Sequence, residues 1–193
     1  MFKLKTKKLL FIITTSVLLA TTIVSQAQQS DRVHLDQIEQ SLKGDVPRIL
    51  CLDKDFATGA QPTDQAYAKA AANGFHSVLS LRARNEGVDL FRERSLVEQS
   101  KMKYFNIPVV SSAPRPEQAE EFIRLVKDPA NHPMLINCAS ANRVGAFMMI
   151  YRVLEQGWSE NKALEEAAKI GLSNEGLKKF AQDYIAQHKG NRG

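Results

Sequence analysis

The sequence predicts an α/β fold, a three-layer α/β/α sandwich with a mainly parallel central sheet. Short apolar runs of strand length recur along the chain, and most are followed by a longer stretch with helical periodicity. The best defined of these runs, at residues 134–138, is apolar enough for the middle of a sheet that is covered on both faces. Strands that alternate with helices in this way are typical of parallel sheets joined by crossover helices.

The first predicted elements follow residues 28–45, a polar stretch with scattered apolar residues that is typical of a linker with at most one loose helix. Residues 48–58 predict one or two short strands. Thr63 is suited to cap an alanine-rich helix over 64–73, and Gly74 is suited to end it. Residues 75–81 then predict a short buried strand.

The middle of the chain repeats the alternation. Residues 89–102 predict a helix that buries Leu90, Phe91 and Val97, and residues 104–109 predict a strand. Pro116 fits the first position of the next helix. The apolar residues of that helix fall at positions i, i+3, i+4 and i+7, which is the spacing of one helical face: Ala119, Phe122, Ile123 and Val126.

The last part predicts one strand and three helices. Residues 134–138 are the strand, and Arg143 begins a helix that extends the same apolar spacing to Leu154. Two further helices are predicted near residues 159–170 and 175–187.

The first 27 residues have the pattern of a secretory signal peptide. Four lysines open the chain, and residues 9–24 are uncharged and largely apolar. Small residues then stand at Ser25 and Ala27, where signal peptidase cleaves. An uncleaved membrane anchor is the alternative, although the apolar stretch is slightly short for a span. We expect cleavage near Ala27 and an exported protein, periplasmic or secreted, that keeps no membrane contact.

The charge balance changes once this segment is removed. The whole chain has 26 Lys+Arg and 21 Asp+Glu, and removal of the four lysines in residues 1–27 leaves 22 against 21. The basic character therefore gives no support for nucleic-acid binding. The predicted organisation is a signal peptide (1–27), a linker or amino-terminal extension (28–46), one domain (47–188) and a tail (189–193).

A cysteine and an arginine enclose a short loop near the carboxyl end. Cys138 ends an apolar strand, residues 139–142 are small or polar, and Arg143 opens an apolar helix. A loop between a strand and a helix turns successive backbone N–H groups into one concavity, where the helix dipole adds positive charge. Arg143 can also bind two oxygens of a phosphate or sulfate. The pattern predicts a nucleophilic thiol beside a bound anion; an ordinary buried thiol is the alternative.

Four short stretches together resemble one family: residues 57–63 (ATGAQPT), 79–82 (LSLR), 107–109 (IPV) and the Cys138 loop. They are similar to the phosphatase-like domains of the beta-lactamase-hydrolase-like family, a bacterial branch of the dual-specificity, cysteine-dependent phosphatase superfamily. The resemblance covers most of residues 47–172. It implies a dual-specificity-phosphatase-like fold and hydrolysis of a phosphate monoester through a cysteinyl-phosphate intermediate, with no metal or organic cofactor.

The resemblance also implies roles for the loop residues. Cys138 is the expected nucleophile and Arg143 the anion-binding arginine. The residues between them form the expected phosphate cradle: Ala139, Ser140, Ala141 and Asn142.

The loop departs from the superfamily pattern in several ways. The spacing between Cys138 and Arg143 is one residue shorter than is usual, although many members of this branch share it. Ala141 stands where a glycine is usual, and a positive φ there would cost about 1 kcal/mol. Val144 and Asn137 replace a hydroxyl residue and a histidine respectively.

The general acid has several candidates. The loop after residues 107–109, where the superfamily places an aspartate, holds only Glu117, which also suits a first helical turn. Glu86 and Asp89 are the others. Arg82 is a candidate for the pocket mouth, where it would favour an anionic substrate. Without an acid, only substrates with good leaving groups would turn over well.

Two other functions stay open at this point. A rhodanese-like sulfurtransferase would carry a persulfide on Cys138, and the short loop supports it. A non-catalytic module would bind anions or a partner protein, and the combined loss of acid, glycine and hydroxyl residues supports it. Cys51 is either a buried strand residue or a redox partner for Cys138. The four histidines lack metal-ligand spacing, so no metal site is expected.

Overall fold

The structure is a computed structural model that describes residue 29 and residues 31–190. The predicted signal peptide (1–27) lies outside the described residues, as do residues 191–193 of the predicted tail. One compact unit spans Ile38–Gly193, and the other, Met1–Gln37, is described only at residues 29 and 31–37, which are helical. Among the described residues, no helix has the length and hydrophobicity of a membrane span.

The described part of the chain contains a five-stranded sheet. Its strands in chain order are β1 (Leu50–Cys51), β2 (Phe56–Gly59), β3 (Ser77–Ser80), β4 (Lys103–Asn106) and β5 (Met134–Asn137). The spatial order is β1-β2-β5-β3-β4, and all neighbours are parallel except β1 and β2. Asn137 is level with both Gly59 and Ser80, so the carboxyl ends of the three central strands share one edge. In open parallel sheets this edge is where ligands bind.

Helices connect and cover the strands. They are α1 (31–42), α2 (Asp64–Ala72), α3 (Leu90–Gln99), α4 (Pro116–Lys127), α5 (Asn142–Leu154), α6 (Glu160–Ile170) and α7 (Glu175–Lys189). Helix α2 contacts α3, whereas α5 contacts α4, α6 and α7. The predicted α/β fold, with helices flanking a mainly parallel sheet, is confirmed.

Helix α5 is buried along almost its whole length, from Arg143 to Val153. Gly145 permits this because it lets the α6 segment approach closely. A Cβ at that position would lie 2.8 Å from the Ala167 carbonyl oxygen and 2.9 Å from Leu172 Cβ. The glycine two residues after Arg143 therefore sets the depth of the helix that begins at the candidate site.

Helix α3 differs from the sequence-based expectation. Phe91 was expected to be buried, but 75% of it is exposed, because α3 turns Glu93 and Val97 to the interior instead. The predicted linker or extension, residues 28–46, for which a loose helix was considered, includes helix α1. Ile38 and Leu42 of that helix are buried, so its end belongs to the larger compact unit.

Candidate active site

Cys138 directly follows the central strand β5, and the chain then turns into α5. Its side chain is fully buried and is a free thiol. Ala141 is the cap of α5 and has φ 67° and ψ −2°, so the left-handed conformation considered from the sequence is present. That conformation costs an alanine about 1–2 kcal/mol, and the strain lies inside the loop that joins Cys138 to Arg143.

The guanidinium of Arg143 is held along one edge. It is only 3% exposed. Its Nη1 donates to the carbonyl oxygens of Leu81 (2.9 Å) and Val109 (2.6 Å), which lie just beyond β3 and β4. Glu86 completes this edge: Oε1 accepts from Nη1 (2.6 Å) and Oε2 from Nη2 (2.7 Å). Because a guanidinium has five N–H groups, Nε–H and the second Nη2–H remain for the interaction with Cys138 and for two oxygens of an anion.

The same contacts shift the pKa values of both partners. Burial is the largest influence on Arg143 and lowers its pKa, but the bond to Glu86 and the interaction with Cys138 outweigh it, so the pKa is raised. Burial also acts most strongly on Glu86, raising its pKa. Hydrogen bonds from Arg143 and the Ala83 N–H, with the charge of Arg82, reverse this and hold the pKa below its ordinary value. Glu86 is therefore an ionised carboxylate that positions Arg143, and in this conformation it is not placed to donate a proton.

Arg82 holds the Glu86 loop through its guanidinium. Its Nη1 donates to Gln61 Oε1 (2.9 Å) and its Nη2 to the Glu86 carbonyl oxygen (2.7 Å). Its Nε lies 2.8 Å from Glu86 Oε2, but at an angle that makes no hydrogen bond. Arg82 lines a cleft of about 240 Å³ that also includes Gln61 and Glu93. The sequence placed Arg82 at a pocket mouth. In the structure it borders a cleft, and its guanidinium contacts the Glu86 loop.

The residues between the cysteine and the arginine divide into two kinds. Ala139 and Ser140 are exposed, and Ala141 is buried. The side chain of Asn142 bonds both outside and inside the loop. Its Oδ1 accepts from the backbone N–H groups of Ser173 (2.7 Å) and Asn174 (2.8 Å), and its Nδ2 donates to Ser140 Oγ (3.3 Å). Asn142 therefore ties the loop to the segment just before α7.

The other two candidates for the general acid lie at helix ends. Glu117 stands in the first turn of α4, is exposed, and has a loose ion pair with Arg115 (3.8 Å). Asp89 caps α3 by accepting from the Arg92 N–H (2.9 Å). No group of three or more His, Cys, Asp or Glu within the described residues could hold a metal ion.

The register of the sheet separates the two cysteines. Cys51 is level with Ala57, and Ala57 is level with Leu135, three residues before Cys138. Two strand spacings across and three residues along put the two Cα atoms about 14 Å apart. A disulfide needs a Cα separation below about 7 Å. In this conformation Cys51 cannot act as the redox partner of Cys138.

A buried carboxyl group near the site was not anticipated from the sequence. Glu93 lies under the ends of β3 and β5, and four side-chain groups donate to it: the hydroxyls of Tyr67 (3.0 Å), Tyr104 (3.3 Å) and Ser80 (3.4 Å) and the amide of Asn137 (3.4 Å). Burial, the largest influence, raises its pKa despite these bonds. Glu93 holds the ends of the strands that lead into Arg82 and Cys138. The sequence offered one indication of its burial: Glu93 lies four residues before Val97, so the two share one face of α3.

Known proteins resemble this arrangement in sequence and in fold. The dual specificity protein phosphatase TpbA of Pseudomonas aeruginosa is 37% identical over 54 residues, which are 28% of this chain and 25% of that protein. The aligned part is thus only a quarter of that relative's length.

Three solved structures share the fold. A DUF442 protein from Shewanella putrefaciens superposes with a TM-score of 0.66 at 20% identity, covering 78% of this chain and 94% of its own. The catalytic domain of the PP-IP phosphatase SIW14 from Saccharomyces cerevisiae, bound to citrate, gives 0.63 at 16% identity and covers 76% and 91%. TpbA bound to phosphotyrosine gives 0.56 at 21% identity and covers 72% and 82%.

The match to a family model is more extensive. Residues 30–189 match the family described as a DSP-PTPase phosphatase fused to NAD+ kinase. The resemblance to dual-specificity-type cysteine phosphatases that the sequence motifs suggested is confirmed. The chain belongs to this DSP-like phosphatase family.

Proposed function

We propose that the protein is a cysteine-dependent hydrolase of phosphate monoesters. The observation that supports this most directly is the state of Arg143. Its guanidinium is buried, Glu86 and two carbonyl oxygens occupy one edge, and it interacts with Cys138. The free edge is a fork for two non-bridging phosphate oxygens beside a thiol nucleophile.

The proposed reaction has two steps. The Cys138 sulfur, as thiolate, attacks phosphorus; an S–P bond forms, the ester P–O bond breaks, and the leaving oxygen takes the electron pair and then a proton. Water next attacks phosphorus in the cysteinyl phosphate, the S–P bond breaks, and inorganic phosphate leaves. In both steps Arg143 and the backbone N–H groups of residues 139–143 stabilise the charge on the non-bridging oxygens.

We propose aryl phosphates, such as phosphotyrosine, as the preferred substrates. Glu86 is ionised and bonded to Arg143, while Glu117 and Asp89 serve helix ends, so no candidate acid stands ready to protonate a leaving group. A phenolate leaves with less need of a proton than an alkoxide does. The solved complex of TpbA with phosphotyrosine supports this choice by analogy.

The test is hydrolysis of p-nitrophenyl phosphate by the reduced protein. We expect turnover in the wild type, none above background in Cys138→Ser, and near-normal turnover in Cys51→Ser, which alters the other buried cysteine. Equal rates in the wild type and Cys138→Ser would contradict the proposal.

The alternative function, sulfur transfer, is supported by the short loop of four residues between Cys138 and Arg143. Incubation with thiosulfate followed by intact-mass measurement would detect a persulfide as a gain of one sulfur on Cys138. If the protein is instead a non-catalytic binding module, Cys138→Ser should still bind phosphate, and the wild type should turn over neither p-nitrophenyl phosphate nor thiosulfate.

We also propose that the enzyme acts after export, on the strength of the pattern in residues 1–27. Protein recovered from the periplasm or the medium should begin just after Ala27. Recovery of a chain that still begins at Met1 would contradict this.

A further inference from the structure

A second cleft lies between the start of α3 and strand β4, and we propose that it docks an acidic, extended segment of a protein substrate. Its volume is about 180 Å³. Its lining includes Arg84, Phe91, Arg94, Tyr104 and Asn106. Asp89 also lines it, and its carboxylate accepts the Arg92 N–H as the cap of α3. This α3–β4 cleft shares Val88 and Asp89 with the cleft that Arg82 lines, so the two clefts adjoin each other.

The walls of the α3–β4 cleft combine positive charge with aromatic faces. Phe91 is the most exposed large apolar residue of the described chain. The guanidinium carbon of Arg84 lies 5.8 Å from the Phe91 ring centre, and that of Arg94 lies 5.5 Å from the Tyr104 ring centre. Neither arginine has a carboxylate partner within the described residues, so both charges are available to an acidic ligand.

The floor of the cleft is fixed. The Tyr104 hydroxyl donates to the buried Glu93 carboxylate (3.3 Å). The Asn106 side-chain amide donates to the carbonyl oxygens of Ser80 (3.0 Å) and Arg82 (3.0 Å). A ring and an amide held in this way need no ordering when a ligand binds, which favours affinity.

The cleft also borders an open sheet edge, and this favours a peptide over a small anion. Strand β4 is the last strand of the sheet. The N–H groups of Lys103 and Ile107 donate inward, to the carbonyl oxygens of His76 and Ser80. Because backbone groups alternate along a strand, Tyr104 and Asn106 turn their N–H and C=O groups to the outer edge. An extended segment can add there as a further strand.

These features define the substrate more closely. The inference rests on the proposed phosphatase activity and adds that the phosphorylated residue lies near acidic residues in an extended segment. A short series of hydrogen bonds connects the cleft to the reaction centre. Asn106 donates to the Arg82 carbonyl oxygen, and Arg82 donates to the Glu86 carbonyl oxygen. The Glu86 side chain in turn holds Arg143.

The first experiment compares three substrates: a phosphotyrosyl peptide flanked by glutamates, the same peptide flanked by lysines, and p-nitrophenyl phosphate. In Arg94→Glu we expect kcat/KM for the acidic peptide to fall about ten-fold and that for the basic peptide to rise. Turnover of p-nitrophenyl phosphate should stay within about two-fold. Arg124→Glu, an exposed arginine on α4, is the matched control and should discriminate between the peptides as the wild type does.

An equal loss of kcat/KM on all three substrates, or no change on the acidic peptide, would overturn the docking proposal.

The second experiment measures peptide binding separately from hydrolysis. Fluorescence anisotropy measures binding of the unphosphorylated acidic peptide to Cys138→Ser, alone and combined with Arg94→Glu or Phe91→Ala.

Docking is supported if both added substitutions weaken binding and backbone N-methylation of the peptide abolishes it. This holds even if the wild type hydrolyses none of the substrates, because absence of hydrolysis would contradict the phosphatase proposal alone. Absence of binding, or binding indifferent to these changes, would overturn docking whatever the enzyme hydrolyses.

Discussion

Glu86 shows how much one contact changes the interpretation of a residue. From the sequence it is one of three carboxyl groups able to act as an acid. In the structure both of its oxygens bond to Arg143, and its pKa lies below the ordinary value. Its contribution is therefore to hold a buried cation in place, so that the cation's free edge keeps a fixed orientation.

The pH dependence of stability tests this role. Because the pKa of Glu86 is lower in the folded state, its contribution is complete above the ordinary value of 4.5 and is lost as the pH falls below it toward the folded-state pKa. At neutral pH we expect Glu86→Gln to lose about 2 kcal/mol of unfolding free energy. Below pH 4.5 the wild type and variant should converge, as measured by denaturant unfolding across the pH range.

Glu117→Gln is the matched control, since Glu117 is exposed and only loosely paired. It should differ from the wild type by less than about 0.5 kcal/mol at any pH. A Glu86→Gln deficit that stays constant into the acid range would contradict the assigned role.

At the scale of elements, the loop after Cys138 is anchored from outside itself. Asn142 is the first residue of α5, and its side chain accepts hydrogen bonds from the segment between α6 and α7. The strained Ala141 lies just before it. A short loop with strained backbone keeps its shape because another part of the fold holds its end.

Replacement of Asn142 by alanine removes these acceptors. We expect Asn142→Ala to lose about 1–2 kcal/mol of unfolding free energy, since the Ser173 and Asn174 N–H groups lose their partner. Asn142→Asp keeps an oxygen in the same place and should remain within about 0.5 kcal/mol of the wild type. Thermal and denaturant unfolding measure both. Equal losses in the two variants would show that the anchor is not the Oδ1 atom.

The order and type of these elements could be predicted from the sequence because each carries a periodic apolar pattern with suitable end residues. Helix α4 is the clearest case, since the apolar residues expected on one face are buried. Helix α3 is the exception. Its polar, charged sequence leaves the packed face undetermined, and a carboxylate can occupy the interior when donors surround it, as Glu93 does.

At the scale of the whole molecule, the sheet order determines which residues meet. Sequence motifs predicted the Cys138 and Arg143 loop, because both residues lie in one local segment. The partners of Arg143 come from two other segments, the loop after β3 with Leu81 and Glu86, and the stretch after β4 with Val109. No local pattern in a single sequence reports such contacts, since they depend on strand order and register.

The separation of the two cysteines gives a prediction at this scale. After mild peroxide treatment we expect oxygen adducts on Cys138 and no Cys51–Cys138 disulfide, because the register keeps the thiols apart. Cys51→Ser should then lose activity at the same rate as the wild type. Peptide mapping by mass spectrometry measures the products. A cross-linked peptide pair would contradict the observed register.

The two carbonyl bonds to Arg143 have one more consequence. Leu81 and Val109 extend neighbouring strands, so the guanidinium joins two strand ends that no covalent link holds together at this edge. If these ends separate, the cation loses its support at the same moment. Heat inactivation and loss of the sheet edge should therefore coincide, and no folded but inactive state with a frayed edge should accumulate between them.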